Sequence, residues 1–271
     1  MFGSRGIELK TPEQLWAMQR SGAIVAEALA EARAAVRPGV TPRELDALCE
    51  RIIRDRGGVP NFLDYHGFPA TICASVNEVV VHGIPGDVPL AEGDVISIDC
   101  GAILDGWHSD SAITVPVGEV RHEVVELLRV TEQSMWRGIA AIRQGGRIGD
   151  IGHAIEAYVR GEGTYGVVEE YVGHGIGTAL HQPPNVPNFG RPGHGPKIVR
   201  GMALAIEPML TLGTIENRTL ADDWTVVTAD GSWAAHFEHS VGVFADGIVV
   251  LTAPDGGKAE LEGLGAAYAG N

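Results

Sequence analysis

The chain is 271 residues long, 45% apolar and 20% charged, which suits a globular protein with a sizeable core. A formal net charge of −15 argues against a general nucleic-acid surface, which needs clustered Lys and Arg, and suits divalent-cation binding. Cys49, Cys73 and Cys100 form no CxxC pair, no apolar h-region opens the chain, and no apolar run nears the ~20 residues of a bilayer span. Reduced thiols in a cytoplasmic protein are therefore expected.

The first predicted element opens at "TPEQLW", with Thr11 as N-cap, Pro12 at the first helical position and Gln14 completing a capping box. This helix should run to about Val36 and stop before Pro38-Gly39. "TPRELDALCERIIRDRGG" repeats the signal with Thr41, Pro42 and Glu44, and ends at Gly57-Gly58. "FLDYHGFPATICASVNEVVVHGIPG" reads as short strands broken by Gly and Pro. Next come the strand "VISIDCG", a hairpin around "LDGW" and its return "HSDSAITVPVG".

Helical patterning resumes in "RHEVVELLRVTEQSMWRGIAAIRQGG" and "GDIGHAIEAYVRGEG", and strand and loop segments dominate from "EEYVGHGIG" to "HSVGVFADGIVVLTA". Arg37, Gly39, Glu50, Arg54 and Gly57 recur at the same spacing as Arg143, Gly145, Glu156, Arg160 and Gly163. Two related halves, about 11–118 and 119–251, are expected about a pseudo-two-fold axis, with one continuous sheet and helices on its outer face. Residues 252–271, rich in Gly and Ala, read as a flexible tail.

Asp99 poses a problem, since a carboxylate inside the apolar run Val95-Ile96-Ile98 is costly unless something pairs with it. With Asp105-Gly106 as a two-residue turn, Gly101 faces Asp110 and Asp99 lies on the same face, roughly 7–8 Å away diagonally. Like charges that close need a proton or a cation between them. His174 between two glycines, Glu207 in "AIEPM" and Glu238 in "HFEHS" are further donors in apolar frames. Two Asp, two Glu and one His form an oxygen-rich set, and four carboxylates balance two divalent ions of the Mn, Fe(II), Co or Zn kind. His108, His122, His153, His194 and His239 lack that framing and read as structural or exposed.

"NEVVVHGIPG", "IDCGAILDGWHSDSA", "GHGIG…H", "AIEPM" and "FEHS" resemble the type I methionine aminopeptidases of the bacterial kind, from about Gly6 to Leu251. The resemblance implies an α+β pita-bread fold, a single catalytic domain over 1–251, and removal of the initiator methionine from nascent chains by a hydroxide activated between two metal ions. It assigns Asp99 to one ion, His174 and Glu207 to the other, and Asp110 and Glu238 to both. His82 and His181 would contact substrate and stabilise the tetrahedral intermediate, and Glu207 would shuttle a proton. Tyr65, Cys73 and Trp224 match pocket positions of the family. Phe62 and Leu180 fall at two more but depart from its usual Cys and Phe, and "HQPP" replaces a more acidic stretch.

The short span from Glu207 to Glu238 leaves no room for the insertion of type II enzymes. A proline-specific aminopeptidase or dipeptidase of the same fold usually carries a large extra N-terminal domain, whereas here the helix pair comes first. A silent binding protein on this fold would have lost ligands, and all five are present. A monomer is expected; ribosome docking finds no support in an acidic chain without a basic run.

Overall fold

The computed structural model of the chain describes residues 6–270; the expectations for residues 1–5 and 271 lie outside them. Its helices are α1 (Pro12–Ala35), α2 (Pro42–Asp55), α3 (His122–Ala140), α4 (Ile148–Glu162) and the short α5 (Lys258–Gly263). The first-half strands are β1 (Val59–Pro60), β2 (Ile72–Val76), β3 (Val79–Val81), β4 (Val95–Leu104) and β5 (Trp107–Pro116). The second half adds β6 (Gly166–Val167), β7 (Gly173–Gly175), β8 (Gln182–Val186), β9 (Ala203–Ile206) and β10 (Met209–Thr211). It ends with β11 (Asn217–Thr219), β12 (Val226–Thr228), β13 (Ala234–His236), β14 (Glu238–Val243) and β15 (Ile248–Val250).

Both N-terminal helices start where their sequence signals place them. Thr11 and Thr41 each accept the N–H of the residue three positions on, while Gln14 and Glu44 reach back to the cap N–H at 2.8 Å. The β4–β5 turn is Asp105-Gly106, with φ of 51° and 80°, the paired left-handed conformation of a tight hairpin. Its register sets Leu104 against Trp107 and Gly101 against Asp110, as the turn dictates.

The main sheet has nine strands in the order β1-β4-β5-β14-β9-β7-β8, with β2 also on β4 and β15 also on β14, all antiparallel. The expected single sheet is thus incomplete: β13-β10-β6 and β11-β12-β3 form two separate three-stranded sheets. Runs of two to three residues bounded by turns such as "GTIEN" and "DDWT" pair locally rather than extend the main ladder.

One helix pair covers each half of the sheet. Val25, Leu29, Leu45 and Ile53 of α1–α2 pack with Ile72, Ile96 and Ile98, while Leu127, Ile139, Ile151 and Ile155 of α3–α4 pack with Leu204, Ile206 and Val241. Alternation along β4 sends Ile96, Ile98, Cys100 and Ala102 into the helix-side core, so Asp99 and Gly101 point the other way. Gly22 lets α1 touch the backbone of Leu251: a Cβ there would collide with the Leu251 carbonyl. Ser21 Oγ donates to the Ala102 carbonyl at 2.8 Å, and Ser109 Oγ to the Met18 carbonyl at 2.9 Å.

The expected loose tail is folded onto the body. Leu261 of α5 is fully buried, the Ala269 N–H donates to the Ile248 carbonyl, and the Tyr268 ring packs on the same apolar cluster as Leu261. Its Gly and Ala content hid a few well-spaced apolar anchors, Leu261, Leu264 and Tyr268, that carry the burial.

Candidate metal centre

Five neighbouring strands deliver five donors in the order of the sheet. Asp99 comes from β4, Asp110 from β5, Glu238 from the first position of β14, Glu207 from the residue after β9, and His174 from the middle of β7. Asp99 and Glu238 each pair with Ala112, whose methyl leaves room between them. Asp110 lies two residues before Ala112 and therefore on the same face. Its partner across the hairpin is Gly101, where a Cβ would press on Asn61 and Phe62.

Hydroxyl groups lock these backbones together. Ser240 Oγ accepts the Asp110 N–H at 3.0 Å and donates to its carbonyl at 2.8 Å, and Ser111 Oγ donates to the Glu238 carbonyl at 2.6 Å. Asn188 Nδ2 donates to the Glu207 carbonyl at 3.2 Å. His174 Nδ1, 3.0 Å from the Gly175 carbonyl, must donate there because a carbonyl only accepts. That leaves the His174 Nε2 lone pair free, 3.5 Å from Glu207 Oε1.

The charge balance is unusual for a protein interior. Burial raises Asp99 to about 7 against the pull of its hydrogen bonds from Asp110 and the Cys100 N–H. Burial, then repulsion within the group, pushes Asp110, Glu207 and Glu238 well above the usual carboxylate range. Burial and then a neighbouring imidazole push His174 and His82 down to about 4, and His236 to about 3. No Lys or Arg counters these acids within the salt-bridge distances found among the described residues.

Buried Asp99 Oδ1, Asp110 Oδ1 and Glu238 Oε1 have no hydrogen-bond partner. Donor atoms of Asp110, His174 and Glu238 lie within 4.8 Å of one another, as do those of Glu207, His236 and Glu238. Hard carboxylate oxygens with a neutral imidazole fit divalent ions of the Mn, Fe(II), Co or Zn class. Cys73, the one thiol on the cavity wall, is held protonated by burial and is no competitor for them.

The donors form one wall of a cavity of about 310 Å³. Its lining also carries His82, His181 and the apolar group Phe62, Tyr65, Phe68, Cys73, Leu180 and Trp224. All twelve residues singled out in the sequence thus line a single cavity. Tyr65 Oη and His181 Nδ1 are 2.7 Å apart, and the His181 ring lies edge-on to that of His174 at 4.4 Å between centroids. His82, at φ 59°, sets its ring edge-on to Tyr171 and Trp224.

Sequence reading missed His66, Phe68 and Tyr171 on the wall, and His236 behind it. Strand alternation could have flagged His236, which stands two residues before Glu238 in "AHFEH". Of the histidines set aside, His122, His153 and His194 are exposed. His108 binds Asn61 Oδ1 at 2.6 Å and His239 binds Thr252 Oγ1 at 2.8 Å.

Residues 17–245 match the model of metallopeptidase family M24. The methionine aminopeptidase of Clostridium acetobutylicum is 49% identical over 91% of this chain and 98% of its own. Methionine aminopeptidase 1 of Mycobacterium tuberculosis is 50% identical over 92% and 96%. The crystal structure of the Rickettsia prowazekii methionine aminopeptidase superposes with a TM-score of 0.89 at 40% identity, covering 91% of this chain and 100% of that one. A Pyrococcus furiosus prolidase, 19% identical with a TM-score of 0.72 over 90% of this chain and 65% of its own, shares the fold alone. With its pita-bread sheet and its near full-length likeness to these enzymes, the chain belongs to metallopeptidase family M24 and, within it, to the methionine aminopeptidases.

Proposed function

We propose that the protein removes the N-terminal methionine from nascent polypeptides and peptides, with Asp99, Asp110, His174, Glu207 and Glu238 holding two divalent ions. The observation that carries this reading is the row of five donors, three of them with orphaned buried oxygens, facing a largely apolar cavity. When bound, such ions supply Lewis acidity and bring the ionisation of water close to neutral pH.

The rest falls to side chains of this chain. Phe62, Tyr65, Phe68, Cys73, Leu180 and Trp224 enclose a flexible thioether with aromatic faces and a polarisable sulfur, as a methionine side chain requires. Tyr65 Oη lies 2.7 Å from His181 Nδ1; in the tautomer where the hydroxyl donates, the His181 proton sits on Nε2, from which it can be given to a carbonyl oxygen gaining charge. Burial keeps His82 neutral, so it too serves as a hydrogen-bonding group rather than a cation. Glu207, within the donor set and 3.5 Å from His174 Nε2, would once ionised take a proton from water and hand it to the leaving amine. Three buried thiols without a disulfide partner suit the cytoplasm, and no helix among the described residues is long and apolar enough to cross a membrane.

The test is release of free methionine from Met-Gly-Met-Met by chelator-stripped protein, with Mn, Co, Fe(II) or Zn returned separately. Activity that returns with metal and is lost in Asp110→Ala supports the reading. Cleavage of an Xaa-Pro peptide without methionine release would instead assign a proline-specific enzyme.

A further inference from the structure

His236 ends β13, 1% exposed, and belongs neither to the cavity wall nor to the apolar core. Its backbone is clamped: the N–H donates to Thr114 Oγ1 at 2.9 Å, and the same hydroxyl donates to the His236 carbonyl at 2.8 Å. Nε2 has no hydrogen-bond partner and stands 3.8 Å from Glu207 Oε2 and 3.9 Å from Glu238 Oε2. A buried polar atom left unpaired is destabilising, and an apolar side chain here would avoid that cost.

The two oxygens of Glu207 face different imidazoles. Oε1 faces His174 Nε2 at 3.5 Å, on the side of the cavity donors, and Oε2 faces His236. Glu238 divides in the same way, with Oε2 toward His236 and Oε1 buried without a partner. Ionised carboxylates only accept hydrogen bonds, so the atom placed between them is best used as an N–H donor. We propose that His236 is a positioning residue of the metal centre, its Nε2–H holding the Oε2 atoms of Glu207 and Glu238 so that their other oxygens are presented to the ions. The proposal rests on the metal-centre reading above. It is a role unlike that of His174, whose Nε2 is a free lone pair. Support of this kind behind metal-ligating groups typically changes metal affinity by 10–100-fold.

The experiment compares the metal-stripped full chain with His236→Leu, which keeps the bulk and loses the donor, and His236→Gln, which keeps a donor. Zinc titration by calorimetry reads affinity, circular dichroism of the metal-free variants checks the fold, and X-ray absorption counts imidazoles on zinc. Long-range ¹⁵N–¹H NMR of the wild type reads the state of each His236 ring nitrogen, and so carries the test should the Leu variant misfold. The expected result is zinc binding weakened about 10–100-fold in His236→Leu, largely restored in His236→Gln. One imidazole should ligate zinc, and His236 Nε2 should stay protonated in the loaded protein. Two imidazoles on zinc, a metal-bound His236 Nε2, or undiminished affinity in a folded His236→Leu would overturn the proposal. Zinc failing to bind the wild type would overturn the metal centre itself, and this proposal with it.

Discussion

Asp99→Asn is expected to stabilise the metal-free protein at alkaline pH and to destroy its response to metal. The wild-type carboxyl is raised from 3.8 to about 7, chiefly by burial. Between those two values the folded chain keeps a proton that the unfolded chain has released, so the stabilising contribution of the protonated form is full below 3.8 and lost as pH rises through about 7. At roughly 1.36 kcal/mol per pKa unit, ionising Asp99 in the fold costs about 4 kcal/mol. That figure belongs to the pair rather than to Asp99 alone, because the hydrogen bond that lowers Asp99 raises Asp110. Asparagine never ionises and has nearly the same shape. Denaturant unfolding in chelator should therefore give variant and wild type similar stability below about pH 3.8, with the variant ahead by roughly 1.6 kcal/mol at pH 5 and by up to about 4 kcal/mol at pH 8. The buried neutral histidines His82, His174 and His236 add an opposite trend below their unfolded pKa, but they are common to both proteins and vanish from the difference. With metal added, the order should reverse, since only the wild type keeps the full donor set. Parallel stability curves from pH 5 to 8, or a variant less stable than the wild type at pH 8 in chelator, would refute the argument that uncompensated carboxylates strain this site.

Metal loading should release protons near neutral pH, because Asp99, Asp110, Glu207 and Glu238 all hold theirs more tightly than usual. Affinity should climb about tenfold per pH unit for each proton displaced, and calorimetric heats should scale with the ionisation enthalpy of the buffer; heats independent of buffer would contradict this. Tyr65→Phe removes the hydroxyl 2.7 Å from His181 Nδ1 and should lower kcat by about tenfold with KM little changed, whereas a pure KM effect would confine Tyr65 to the pocket wall. Gly22→Ala drives a methyl into the Leu251 carbonyl and should cost about 1–3 kcal/mol or more in thermal unfolding, with metal affinity unaltered in the folded fraction; an unchanged melting temperature would show that α1 can shift at no cost.

Local signals carried most of what the sequence showed. The two capping boxes and the Asp105-Gly106 turn each fix geometry within a few residues, and the turn alone determined that Asp99 and Asp110 share a face. His174, Glu207 and Glu238 stood out because a charged or polar group in an apolar frame needs a partner. What stayed hidden depends on contacts distant in sequence. His236 acquires its meaning only when β14 brings Glu238 beside Glu207. The two small sheets arise from pairings such as Val227 with Val79, which no local pattern announces. The packed C-terminus rests on three apolar side chains among many Gly and Ala, too sparse to give a periodicity.

The donors are scattered from position 99 to position 238, one to a strand or its end, over five adjacent strands. During synthesis, a chain that has emerged only as far as the β4–β5 hairpin owns two carboxylates and nothing to hold opposite them. Residues through Glu238 must leave the ribosome, and β14 must slot between β5 and β9, before the set is complete. On the proposed reading, a truncated or half-folded copy is inert by construction. An aminopeptidase that acts, as proposed, on unfinished chains would be unable to do so until it is itself finished.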